Sequence, residues 1–164
     1  MQNGDLRSPV RIDEVIPLIK DDQSFDELFE LLFHEDRIIV MHTADAVEKI
    51  TQEYPYYLNS HKKAILKLLE TAHNKELKWH LAQIISRLKL NQNQIGKAWQ
   101  ILTFWALDPK ESRIVRTNAI HGLFNLLDQY PQLEADYQLT IAQIEKENIP
   151  SINARLKHLK KLRP

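Results

Sequence analysis

The sequence predicts an all-α fold built as a helical repeat array, and three observations carry that prediction. A twelve-residue stretch occurs three times, at Ile39–Ile50, Leu77–Leu88 and Val115–Leu126, each copy starting 38 residues after the last. Its outer apolar positions keep register: Ile39/Leu77/Val115, Val47/Ile85/Leu123 and Ile50/Leu88/Leu126. Just upstream, the same period carries Asp36/Asn74/Ser112, followed by Arg37/Lys75/Arg113. Asp, Asn and Ser are favoured helix N-caps, so a helix is expected to begin at one phase of every period. The chain also has only three glycines, too few for the tight turns of an all-β fold.

The elements follow in order. Ile12, Val15, Ile16 and Ile19 have helical spacing, but Pro17 confines that helix to a turn or two unless it lies in the first turn. This segment is expected to cap one end of the array, because a terminal repeat otherwise exposes an apolar face. Ser24 starts the first clear helix, with Phe25, Leu28, Phe29, Leu32 and Phe33 on its apolar face. A second helix runs from the Asp36 cap to about residue 52, and Tyr54-Pro55 ends it, since a residue before proline leaves the α region. Next come residues 58–72 and, after Asn74, residues 75–90. A polar loop at 91–93 leads to 94–107, broken by Asp108-Pro109. Ser112 caps 113–128, which Tyr130-Pro131 closes. The last pair covers 133–147 and 151–162, with Ser151 one residue late for the period. The domain reading is a polar segment with a capping element at residues 1–23 and a repeat domain at 24–164.

Composition narrows the function. The chain has 164 residues, 43% apolar and 27% charged, and a net charge of zero, so it is one ordinary globular domain with no global field to draw nucleic acid or membrane. Charge alternates along it: residues 1–53 hold 13 acids and 5 bases, and residues 54–126 hold 4 acids and 11 bases. With no cysteine, disulfide and thiolate chemistry are excluded. The start, Met1-Gln2-Asn3-Gly4-Asp5, lacks the basic-then-apolar pattern of a secretory leader. The longest near-apolar run, at 101–107, is far too short to span a membrane. The expectation is a soluble, cytoplasmic protein.

The inner helices resemble HEAT repeats. The nearest likeness is Ser112-Arg113-Ile114-Val115-Arg116-Thr117-Asn118-Ala119, where Val115, Arg116 and Ala119 match the usual Val-Arg-x-x-Ala. Leu77-Lys78 fits loosely, with Leu81 in place of the alanine. Ile39-Val40 departs at the basic position, and Ile152-Asn153-Ala154-Arg155 fits with a one-residue shift. The resemblance covers about residues 24–162. It implies a right-handed α-α superhelix, a HEAT-like solenoid of about four helical pairs, with inner helices lining a concave binding surface. It implies a non-catalytic scaffold or adaptor for a protein partner. HEAT-like folds also include alkylpurine DNA glycosylases, and related repeats occur in bilin lyases, but no residue here matches a catalytic acid of either.

Residues one period apart form ladders across stacked inner helices, and three polar ladders are candidates. The first is Arg37/Lys75/Arg113. A cation beside a helix N-terminus is mildly disfavoured by the helix dipole, so three in register point to an acidic segment of a partner or to a phosphate. Ion pairing with Glu35, Glu76 or Glu111 is the structural alternative. The second ladder is His42/His80/Asn118, and the third, one turn on, is Asp45/Gln83/His121. Trp79 is either a groove anchor or packing against the preceding outer helix. Zinc needs three or four ligands, yet only His42 and His80 align and no His-x-x-x-His occurs in one helix. No metal and no cofactor is predicted. No Gly-rich phosphate loop or Gly-x-Ser-x-Gly occurs, so no enzyme is predicted. Nucleic-acid binding through the bases at 62–116 and the run Arg155, Lys157, Lys160, Lys161, Arg163 is the rival reading, lowered by the zero net charge. That run alternates with Leu156, Leu159 and Leu162, which suits an amphipathic end cap.

Overall fold

The computed structural model describes residues 12–163, and the polar segment expected at the start of the chain lies outside them. Nine α-helices are found among the described residues: α1 (Ile12–Val15), α2 (Asp22–Glu30), α3 (Arg37–Glu53), α4 (Lys62–Thr71), α5 (Lys75–Ile84), α6 (Gln92–Leu107), α7 (Arg113–Leu126), α8 (Glu134–Glu145) and α9 (Pro150–Leu162). No strand occurs among these residues. From α2 onward they form four pairs. The inner helices stack in the order α3, α5, α7, α9, and the outer helices α4, α6 and α8 stack alongside. The result is an all-α helical repeat solenoid.

The caps behave largely as the sequence dictates. Asp36 accepts the Ile38 backbone N–H at 2.8 Å, and Ser112 accepts that of Val115 at 3.3 Å. Asn74 also sits at an N-cap with extended backbone, but its side chain makes no capping bond, so it marks the boundary by conformation alone. Two boundaries need correcting. Helix α2 begins at Asp22 rather than Ser24, because Asp21 caps it: the Asp21 carboxylate accepts the Ser24 N–H at 2.8 Å and the Ser24 hydroxyl accepts the Asp21 N–H at 3.2 Å. Helix α9 begins at Pro150, with Ile149 at the cap and Ser151 inside the helix. Proline suits that first position, where its missing N–H is no loss. Several helices are also shorter than their apolar spacing implies. The segments Pro55–His61 and Ile85–Arg87 wind as 3-10 helix, tightening the ends of α4 and α5. Pro17 lies in the first turn of a 3-10 segment, Ile16–Leu18, that continues α1, and α1 packs on α3.

The apolar ladders form the core. Val47, Ile85, Leu88, Leu123 and Leu126 are fully buried and Ile50 nearly so, while in the remaining ladder Leu77 and Val115 are buried and Ile39 is half-buried. The first pair is filled by aromatics: Phe25 stacks on Tyr57 and Phe29 on His61, and Asp26 holds the outer side of that imidazole at 2.6 Å. Trp99 and Trp105 are buried in the core, and the Trp99 indole donates to Asp136 at 2.5 Å, tying α6 to α8. In the middle of the stack, Gly122 on α7 lies against α5. A methyl group at Gly122 would stand 2.4 Å from the carbonyl oxygen of Ala82, so only glycine allows this approach. Asn148, between α8 and α9, turns with φ of 52°, a left-handed conformation that asparagine tolerates. Among the described residues no helix is long and apolar enough to cross a membrane.

Candidate functional site

The inner helices bring polar side chains together along one face. A cavity of about 300 Å³ lies there, lined by Glu48 and Gln52 of α3, Gln83 of α5, Arg87, Asn118 and His121 of α7, and Arg155 of α9, among others. The Gln83 amide donates to the Asn118 side-chain oxygen at 2.6 Å, while the Asn118 amide donates to the Ile114 carbonyl at 2.8 Å. Asn118 is therefore buried and committed, and Gln83 is the half-exposed member of the pair. His121 faces Arg155 of α9, with 3.3 Å between Nδ1 and Nη1. Burial, reinforced by Arg155 and then His158, pushes the His121 imidazole below its ordinary value and disfavours its charged form.

The ladder of bases does not act as one unit. Arg37 grips both carboxylate oxygens of Glu76 in the next repeat, at 2.7 and 2.9 Å. That bond, with Lys75 contributing, overcomes the burial that would raise the Glu76 carboxyl and holds it below the usual range. Lys78 pairs in the same sense with Glu111, and its ammonium lies over the Trp105 ring. The ion-pair alternative thus describes Arg37. Lys75 and Arg113 stand exposed with no side-chain hydrogen bond or ion pair among the described residues.

The histidine ladder also divides. His42 is half-buried, whereas His80 is only 6% exposed and its Nδ1 is buried without a hydrogen-bond partner. Burial drives the His80 imidazole below its ordinary value, against the nearby Asp45 and Glu48 carboxylates. Asp45 is half-buried and accepts from Lys49 at 3.3 Å. Trp79 is half-buried and packs against the core; its ring meets His80 edge-on at 5.0 Å and its indole N–H is buried without an acceptor.

Two arginines, Arg116 buried and Arg87 half-buried, tie neighbouring elements together. Arg87 donates to the Glu48 carbonyl at 2.7 Å, to Thr51 at 2.9 Å and to the Glu48 carboxylate at 2.5 Å. Arg116 donates to the Ala106 carbonyl at 2.8 Å and takes both oxygens of Glu147, at 2.7 and 2.9 Å. Composition gave no sign of either role. The signal for Arg116 was its place in the Val-Arg-x-x-Ala pattern; for Arg87 no sequence signal existed beyond its register.

Helix α9 shows what its basic run does. Lys160 pairs with Glu145, and Arg163 pairs with Asp128 and lies over the Phe124 ring. With Arg155 turned to His121, three of the run's five bases bind the chain itself, and Lys157 and Lys161 remain exposed. That is the chemistry of an end cap more than of a phosphate track.

Paired helices, a regular stack and an inner face of polar side chains define a helical-repeat solenoid. The chain belongs to the HEAT-repeat family: the family model for the HEAT repeat domain matches residues 6–162. No curated protein and no solved structure matches it. HEAT repeats are commonly protein-interaction scaffolds and typically non-catalytic.

Proposed function

We propose that this chain is a non-catalytic scaffold that holds an extended, acidic segment of a protein partner along the groove formed by α3, α5, α7 and α9. One observation carries the reading: Gln52 on α3 and Gln83 on α5 line the same groove, and each keeps its side-chain oxygen uncommitted among the described residues. An amide offers a donor and an acceptor together, which suits the backbone of an extended segment. Lys75 and Arg113, exposed at the N-termini of α5 and α7, supply positive charge for acidic side chains. Arg37, already held by Glu76, contributes less. The run of ion pairs on α9 favours a protein partner over nucleic acid.

A library of extended peptides, acidic and basic, displayed against the purified chain tests this. Acidic sequences are expected to be selected. Their affinity should fall at least tenfold in Lys75→Glu/Arg113→Glu and in Gln83→Ala, with the melting temperature little changed. Selection without acidic preference, or equal affinity in both variants, overturns the reading.

A further inference from the structure

The unsatisfied histidine on the inner face points to a ligand that a partner segment does not supply. Asp45 and Glu48 lie three residues apart on α3 and therefore share a face. His80 projects from the neighbouring α5. One oxygen of each carboxylate and one imidazole nitrogen all lie within 4.8 Å of one another. Glu48 and His80 are buried and Asp45 half-buried, so this is not a solvated acidic surface. We propose that Asp45, Glu48 and His80 form a binding site for a borderline divalent cation such as zinc or cobalt, joining the first repeat to the second.

Four features converge on the site. The Nδ1 atom of His80 is buried with no hydrogen-bond partner, a state that native interiors rarely leave unsatisfied. Two oxygens are uncommitted: Arg87 and Gln52 both bind Oε1 of Glu48, leaving Oε2, and Lys49 binds Oδ2 of Asp45, leaving Oδ1. Those same partners fix the carboxylates from outside, the role that supporting hydrogen bonds play around metal ligands. The third is reach. Ligand atoms around a tetrahedral zinc stand about 3.4 Å apart, so closing the triangle takes side-chain shifts of roughly 1 Å and no helix movement. The fourth is donor chemistry. One imidazole with two carboxylates selects zinc, cobalt or nickel over calcium or magnesium, which prefer oxygen alone. Arg87 and Lys49 offset the two carboxylate charges, so the affinity is expected to be micromolar and the fourth position open to water.

The test uses the full chain, stripped of metal with a chelator and titrated with zinc chloride and with cobalt chloride. Calorimetry should show one ion per chain. Cobalt should quench indole fluorescence, because the Trp79 ring lies 5.0 Å from that of His80. Zinc should raise the melting temperature, as any ligand of the folded state does. Asp45→Asn and His80→Gln should each weaken binding at least tenfold, and His42→Gln should leave it unchanged. Should His80→Gln fail to fold, Asp45→Asn decides, since Asp45 is only half-buried. The proposal is overturned by non-saturating titrations, or by unaltered affinity in Asp45→Asn, which would place the ion on surface imidazoles.

Discussion

Arg116 holds both carboxylate oxygens of Glu147 in a fork, 31 residues along the chain, and the two partners differ sharply in exposure: the arginine side chain is 3% exposed and the glutamate 31%. That asymmetry sets the cost of breaking the pair from each side. Removing Glu147 leaves a charge buried with only the Ala106 carbonyl for company, whereas removing Arg116 leaves a carboxylate that water can reach. Loss of one partner of a buried pair costs about 3–5 kcal/mol. Glu147→Ala is therefore expected to approach the low end of that range and Arg116→Met to cost less, measured by urea unfolding. Equal costs would contradict the assignment.

The same pair predicts an acid limb. The Arg116 hydrogen bonds hold the Glu147 carboxyl below its usual range. A depressed folded pKa means that the stabilisation is fully present above the unfolded value, about 4.3, and is lost as pH falls through the folded one. Between pH 5 and 3 the wild type should lose stability more steeply than Glu147→Gln. Parallel curves would remove the pair as the cause.

His121 predicts a second pH dependence, of opposite chemistry. Its imidazole is disfavoured as a cation by burial, then by Arg155 and His158 of α9. The unfolded chain takes up this proton near about pH 6.5 and the folded chain resists it. Stability from His121 is thus complete above that pH and declines as pH falls toward the depressed folded value. The melting temperature should drop between pH 7.5 and 5, and less so in His121→Gln. An identical drop in the variant would refute this.

Gly122→Ala separates packing from propensity. In an exposed helix the change would stabilise by about 1 kcal/mol. Here the new methyl meets the Ala82 backbone carbonyl, which has no rotamer to move. Overpacking of this kind costs typically about 1–3 kcal/mol, so net destabilisation is expected in thermal unfolding. A stabilised variant would mean that α5 and α7 yield easily.

Tyr130 secures the loop after α5. Its hydroxyl accepts the Leu90 N–H at 2.9 Å and donates to the Leu90 carbonyl at 2.6 Å. Tyr130→Phe strands both groups, at a cost of about 1–3 kcal/mol, and should speed amide exchange at Leu90. Unchanged exchange there would argue against the tie.

The sequence made the architecture legible because the period, the Asp36 and Ser112 caps and the Tyr-Pro stops are local signals. The side-chain network was harder to read, for a geometric reason. Ladders built on the period compare residues 38 apart, such as His42 with His80. Stacked helices cross at an angle, and real neighbours are displaced by a turn: Gln83 meets Asn118 at a separation of 35, and Arg155 meets His121 at 34. The same offset of 35 sets His80 beside Asp45, a grouping that equal-phase comparison could not find. Asn118 and His80 are also buried, at 7% and 6% exposure, which their place in a polar ladder does not reveal.

The contact at Gly122 has an elastic consequence. At Gly122 the backbones of α5 and α7 approach with no side chain of α5 between them, so at that one point no rotamer of α5 can shift to absorb a displacement. A slide of α7 along α5 would meet main-chain atoms first at this point.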